Sequence, residues 1–270
     1  MLKAFLSLFL LLTVAISSFA QLSEPLVTGA RGLAMGGTGL NAQDVQAAWG
    51  NPAGLSNIDH LGFSFYGEQR FTLAELKQVS ATAAMPMGKN GGIGLVLGYY
   101  GFDAYNEQRI GLAYGRKLSE KISLGTQFYS WSTRIPEYGS KTVLSFELGL
   151  QVKINSEISM AGKVINPVRI SVIDEEYLPS IMSVGLLYQP GKGISIAAEA
   201  EKDVLHPLRI KIGIEYNLLD ALDLRLGVAT NETQLSFGFG YRIKEHWQLN
   251  FSTSYHQYLG FTPGIGVVYR

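Results

Sequence analysis

Residue types that could carry chemistry are few and scattered along this chain of 270 residues. The four histidines, His60, His206, His246 and His256, stand apart, and none lies at metal-ligand spacing from another; with Cys 0 there is no thiolate either. No metal site follows from them. Ser254 and His256 would share one face of a strand, which makes half of a nucleophile and base pair, yet no third member can be named. Gly36-Gly37-Thr38-Gly39 has the look of a phosphate loop, but no Lys-Ser/Thr follows it and no strand leads into it. Asp174-Glu175-Glu176 reads as a solvated acidic tip, with a calcium or partner contact as the alternative. No catalytic residue and no cofactor are assigned, so the expectation is a non-enzyme.

One larger set does hold together. Glu199, Glu201, Arg209, Lys211, Glu215, Asp223, Arg225 and Arg242 fall on consecutive alternating segments, all on the polar side. If those segments enclose a lumen, both signs of charge project into it. Unpaired charge in a confined space is costly, so the set should pair with itself. Arg31 upstream is a candidate to join this network; the other reading of the set is a polar binding site or ion path.

The elements that must position these groups are strands. From Leu61 onward the hydrophobic period is two, as in Leu144, Phe146, Leu148, Leu150 and Val152 against Ser145, Glu147, Gly149, Gln151 and Lys153. The same alternation runs through 207–217 and 233–243. A soluble sandwich can alternate too. Three features favour a membrane barrel instead. About fourteen segments have roughly the 9 to 11 residues that a tilted strand needs to cross a bilayer. Short turns such as Asn155-Ser156 and Lys244-Glu245 alternate with longer connections, the longest at 134–141 and 166–179. Aromatic residues, among them Tyr99, Tyr100, Tyr105, Tyr129, Trp131, Trp247, Tyr255, Tyr258 and Tyr269, collect near strand ends, as at a membrane boundary.

Composition agrees with lipid as the solvent. Charged residues are 16%, against the roughly 25% of soluble domains. A net charge of +0 offers no basic face for nucleic acid. Residues 1–20 have Lys3, an apolar run and Ser18-Phe19-Ala20, the pattern of a secretory signal peptide. The expected organisation is a signal peptide (1–20), an N-terminal hatch (21–59) and an all-β transmembrane antiparallel barrel of about 14 strands (60–270). The chain ends on Tyr269-Arg270, with the aromatic residue penultimate.

The hatch is expected to be a compact plug. Gly29, Gly32, Gly36, Gly37 and Gly39 allow tight turns and close backbone approach. Asn41 reads as a helix N-cap with Asp44 in the first turn, and Gly50 with Asn51-Pro52 as the stop. A helix that short is unstable alone in water, so Val45, Ala47, Ala48 and Trp49 need an enclosing wall.

The elements Gly-Ala-Arg-Gly (29–32), Met-Gly-Gly-Thr-Gly (35–39) and Trp-Gly-Asn-Pro-Ala-Gly-Leu (49–55) resemble the hatch of FadL-like outer-membrane barrels, and more closely that of their PorV/PorQ branch. Gly29, Arg31, Gly32, Gly36, Gly37, Trp49, Asn51, Pro52 and Ala53 match the hatch motif, the last three its NPA signature. The resemblance implies a location in a Gram-negative-type outer membrane, in contact with its lipid. It also implies an accessory role in type IX secretion or cell-surface assembly, with secretion proteins as partners. The alternative it leaves open is a FadL-like transporter passing fatty-acid-like hydrophobic molecules through a plugged barrel with a lateral opening. A greasy lumen pocket near Trp49 would favour transport; an exposed apolar patch on the outside loops would favour docking.

Overall fold

A computed structural model describes residues 29–173, 176–231 and 233–270; the expected leader lies outside the described residues. The strands are β1 Gly62–Gln69, β2 Lys77–Pro86, β3 Gly91–Phe102, β4 Tyr105–Lys117, β5 Ile122–Ile135, β6 Gly139–Lys153, β7 Ile158–Ile165, β8 Ser171–Ile173, β9 Glu176–Tyr177, β10 Ile181–Gly191, β11 Ile194–Asp203, β12 Arg209–Leu219, β13 Leu222–Ala229, β14 Gln234–Ile243, β15 Trp247–His256 and β16 Gly260–Tyr269. All but β8 and β9 form one closed antiparallel barrel, sealed where β1 pairs with β16 from Phe63↔Tyr269 to Glu68↔Gly264. The short pair β8–β9 lies within the 166–180 connection.

Alternation sorts the side chains by solvent. Phe128, Leu144, Leu226 and Met182 stand on the outer wall at 60–72% exposure, while Gln127, Glu147, Arg225 and Asn250 on the inner wall are at most 2% exposed. Apolar outside and polar inside is the inverse of a soluble core, and it is stable only where lipid surrounds the wall.

The interior is filled by residues 29–58. Helix α1 (Ala30–Ala34) and helix α2 (Ala47–Gly50) are each about one turn, followed by a 3-10 helix, Pro52–Asn57. Neither helix could stand alone; they form because walls close around them. Ala34, Ala47, Ala48, Ala53 and Leu55 are 0% exposed. Glycines on the wall make room. A Cβ at Gly92, Gly115, Gly125 or Gly149 would fall less than 3.0 Å from the 51–56 segment, and one at Gly213 or Gly227 less than 3.0 Å from Met35 or Gly36.

Several expectations are corrected here. Asn41 is not a helix cap: α2 begins after Gln46, and the Asn41 side chain instead accepts from Ser159 Oγ at 3.1 Å. Asp44 Oδ1 accepts from the Gln46 amide at 2.9 Å, making a local turn. The helix does stop at Gly50, but Asn51 then caps a new 3-10 helix by accepting from the Ala53 amide at 3.1 Å. The 134–141 stretch is no long loop, because β5 and β6 run on as a ribbon to Ile135↔Gly139. Tyr129 and Trp131 do not face the membrane boundary. They pair with Ser145 and Val143 on the inner face and are 4% and 5% exposed.

Candidate functional site

The lumen is divided by the plug, and its charged residues fall into separate groups. Toward the inner end, where the short turns lie, Glu215 accepts from Arg31 through both oxygens at 2.8 Å and from Arg225 Nε at 2.6 Å. Arg225 also reaches Asn250 Oδ1 at 2.7 Å and Asp223 at 3.4 Å, and Asp223 accepts from Arg242 at 2.6 Å and Gln248 at 2.8 Å. This ties α1 of the plug to β12–β15. The Glu215 carboxylate holds the Arg31 guanidinium above the usual arginine range. Of the eight expected lumen charges, four are here: Glu215, Asp223, Arg225 and Arg242. Glu201 pairs with Lys211 at 2.6 Å, Arg209 donates to Gln234 at 3.0 Å, and Glu199 accepts from the Gly39 and Leu40 amides at 2.8 Å each. The eight therefore share one lumen without forming one network.

Above the plug lies a cavity of about 120 Å³. Its floor is Leu33, Gly39, Leu40 and Trp49, and its wall carries Arg70, Arg109, Lys163, Arg209 and Lys211 against Glu68, Glu199 and Glu201. Five cations against three carboxylates leave it net cationic. Arg109 is its most constrained member: its guanidinium stacks 4.1 Å from the Tyr129 ring centre and 5.2 Å from that of Trp49. It also donates to Gln127 and lies 3.3 Å from Glu147, which Lys163 approaches at 3.8 Å. Gln127 in turn donates to the Ala48 carbonyl at 2.7 Å, so the plug, Arg109 and β4–β6 form one assembly.

Beside Arg109 an apolar notch of about 20 Å³ opens, walled by Tyr129, Trp131, Ile165, Leu178, Pro179 and Ile181. Arg109 and Ile165 line both this notch and the larger cavity. The notch exists because the wall is uneven. Strand β7 stops at Ile165, opposite Glu147, so the outer half of β6 has no ladder partner on that side among the described residues. The 166–180 connection folds in to cover the step, burying Val172 and Leu178 against Tyr129 and Trp131. Asn166 pins it: fully buried and at φ 49°, it accepts from Ser145 Oγ at 2.9 Å and donates to the Leu178 carbonyl at 2.9 Å. The Trp131 Nε1 and Arg109 Nε atoms are buried with no hydrogen-bond partner among the described residues.

The sequence reading missed Glu68, Arg70, Arg109 and Lys163 as cavity residues, and Glu147 as the carboxylate that Arg109 and Lys163 share. Register could have found them, since Glu147 shares the polar face of Ser145 and Gln151, and Arg109 faces Trp131 across the ladder. The hatch residues divide as well. Trp49 forms the cavity floor, Arg31 is in the inner network, and Asn51, Pro52 and Ala53 sit against the wall glycines of β4–β6. Gly36 and Gly37 adopt φ 71° and 84° as α1 ends, so this stretch turns the chain and is no phosphate loop. His256 Nδ1 accepts from the Tyr258 and Leu259 amides and so serves the β15–β16 turn. Asp174 and Glu175 lie outside the described residues.

No protein-family profile matches the sequence, and comparison with curated proteins finds no match either. Solved structures do match in fold. The Ralstonia pickettii toluene transporter TbuX aligns over 89% of this chain and 96% of its own, with TM-score 0.67 and 14% identity. The Pseudomonas putida toluene transporter TodX aligns over 92% and 98%, with TM-score 0.67 and 14% identity. A Pseudomonas aeruginosa FadL homologue covers 90% and 97%, with TM-score 0.61 and 13% identity. The likeness is one of architecture. It carries neither the PorV/PorQ branch nor a substrate to this chain.

Proposed function

We propose that this chain is a non-enzymatic outer-membrane barrel that passes small hydrophobic molecules across the membrane, past its plug. The observation that carries the reading is the apolar notch of Tyr129, Trp131, Ile165, Leu178 and Ile181 opening onto the cationic cavity above Trp49. At about 20 Å³ the recess has room for about one water-sized group, so it takes only the tip of an apolar molecule whose remainder lies in the 120 Å³ cavity. The unpartnered Trp131 Nε1 and Arg109 Nε beside it suit a molecule with one polar or anionic end. The fold shared with two toluene transporters and a FadL homologue supports the same reading.

The competing role, docking to secretion or surface-assembly proteins, draws support from Tyr138, Leu205 and Tyr258, which are 67–86% exposed. They lie on three different outside turns, Leu205 next to the exposed Val204 and Tyr258 next to the exposed Leu259, rather than together on one turn. Transport is the stronger reading.

The test is uptake of radiolabelled toluene and of a long-chain fatty acid by a Gram-negative host lacking its own porins for both. Expression of the folded barrel is expected to raise uptake of one or both. A folded barrel in the outer membrane with uptake of neither would overturn the reading.

A further inference from the structure

The plug is not held evenly. One seat lies on β3–β6, where Gly92, Gly115, Gly125 and Gly149 let the 51–56 segment press against wall backbone, and the other on β12–β13, where Gly213 and Gly227 receive Met35 and Gly36. Close approach of backbone to backbone makes both seats rigid. Between them the chain crosses β6, β7, β10 and β11, and there it hangs on side chains. Glu199 Oε1 accepts from the Gly39 and Leu40 amides at 2.8 Å each. Gln151 Nε2 donates to the Leu40 and Ala42 carbonyls at 2.9 and 3.0 Å, and Ser159 Oγ donates to Asn41 at 3.1 Å.

Cavities descend along this same sector. Below the 120 Å³ cavity lies one of about 50 Å³ with Met35, Ala42, Leu187 and Ala197 in its lining; Gly39 and Glu199 line both. A third, of about 210 Å³, opens at the inner end beside Gln43, Ser159 and Gln189. What separates the first from the second is the strap of residues 39–40 bonded to one carboxylate oxygen. What separates the second from the third is the Asn41–Ser159 contact.

We infer that the plug opens locally, by release of residues 39–42 from the β6–β7–β10–β11 wall, and that Glu199 is the latch that closes this path. Both glycine seats stay in place while the strap lifts, so no unfolding of the plug is needed. The lining of the middle cavity, mostly apolar, suits the same small hydrophobic permeant. The inference rests on the reading of the barrel as a channel.

The test uses single-channel recording of the full-length protein in planar bilayers. Glu199→Ala removes the acceptor of two amide bonds, and its open time is expected to rise at least about tenfold over the parent. Gln151→Ala, which frees the same strap from the other side, should shift it the same way and stands in if the first variant does not fold. Because the chain has Cys 0, single thiols can locate the path. A small thiol reagent should block the Glu199→Ala current when Leu187→Cys is added, and leave it unchanged with Gln248→Cys on the far wall. Silence in both strap variants, or block at Gln248→Cys without block at Leu187→Cys, overturns the latch. If uptake of hydrophobic molecules fails while this block pattern holds, the substrate reading falls and the latch stands.

Discussion

Gly149→Ala should cost stability because of what lies across from it, not because of the strand it sits in. In a strand interior, alanine ordinarily gains roughly 0.5–1 kcal/mol over glycine. Here the added Cβ would fall less than 3.0 Å from Asn51 Oδ1 and 3.2 Å from Pro52 Cδ. Asn51 is 0% exposed and cannot swing aside. Its side chain accepts from the Ala53 amide at 3.1 Å and donates to the Leu150 and Gly162 carbonyls at 3.2 and 3.4 Å. Overpacking at about 1–3 kcal/mol and the weakening of one or two bonds at about 1 kcal/mol each outweigh the strand gain, leaving a net loss of about 2–3 kcal/mol. Urea unfolding of the barrel in phospholipid vesicles measures it. With Asn51→Ala the obstructing oxygen is gone, and Gly149→Ala should then cost under about 1 kcal/mol, a coupling that a double-mutant cycle isolates. Gly191→Ala, with nothing within 4 Å, is the neutral control. An equal cost of Gly149→Ala in both backgrounds would refute the seat as its cause.

Other expectations follow from the same contacts. Glu147→Ala leaves Arg109 and Lys163 facing each other in the interior without their shared carboxylate, and should destabilise the barrel by about 3–5 kcal/mol in the same unfolding assay. Arg31→Met keeps the Glu215–Arg225 pair and the seating of Met35 and Gly36 but removes the ion pair at the start of α1, so limited proteolysis should cut near residues 29–32 faster while the barrel strands stay protected. Trp131→Lys places a charge in the apolar notch and should lower uptake of a hydrophobic solute at least about tenfold while the protein still migrates as a folded barrel in unheated gels.

The barrel was legible because lipid reverses the usual rule for every second residue. Leu144, Phe146, Leu148 and Leu150 could be read as one face without knowing their neighbours, and that face is the outer wall. Tyr129 and Trp131 were misread because aromatic residues suit both a membrane boundary and an enclosed pocket. Only the ladder decides between these, and it puts Tyr129 opposite Ser145, on the lumen side. The 134–141 ribbon was hidden by polar composition, since a hairpin above the membrane has no apolar face to betray it. Helix α1 left no local trace, because its one turn is shaped by the glycine-lined wall of β12–β14 and not by propensity. The eight lumen charges share the polar face of their strands, and their grouping depends on which strands neighbour which and on where the plug enters. Glu199 shows this most clearly: its partners are backbone amides some 160 residues upstream, which no spacing rule could supply.

On the proposed function, a hydrophobic molecule enters the barrel and rests beside Trp131. A photoreactive fatty acid and a photoreactive monoaromatic compound, activated on the protein in native membranes and mapped by mass spectrometry, test this most directly. Adducts are expected on Trp131, Ile165, Leu178 or Ile181, reduced by competition with the unlabelled compound. Adducts confined to outward residues such as Phe128, Leu144 and Leu226, with none on the notch, would contradict it.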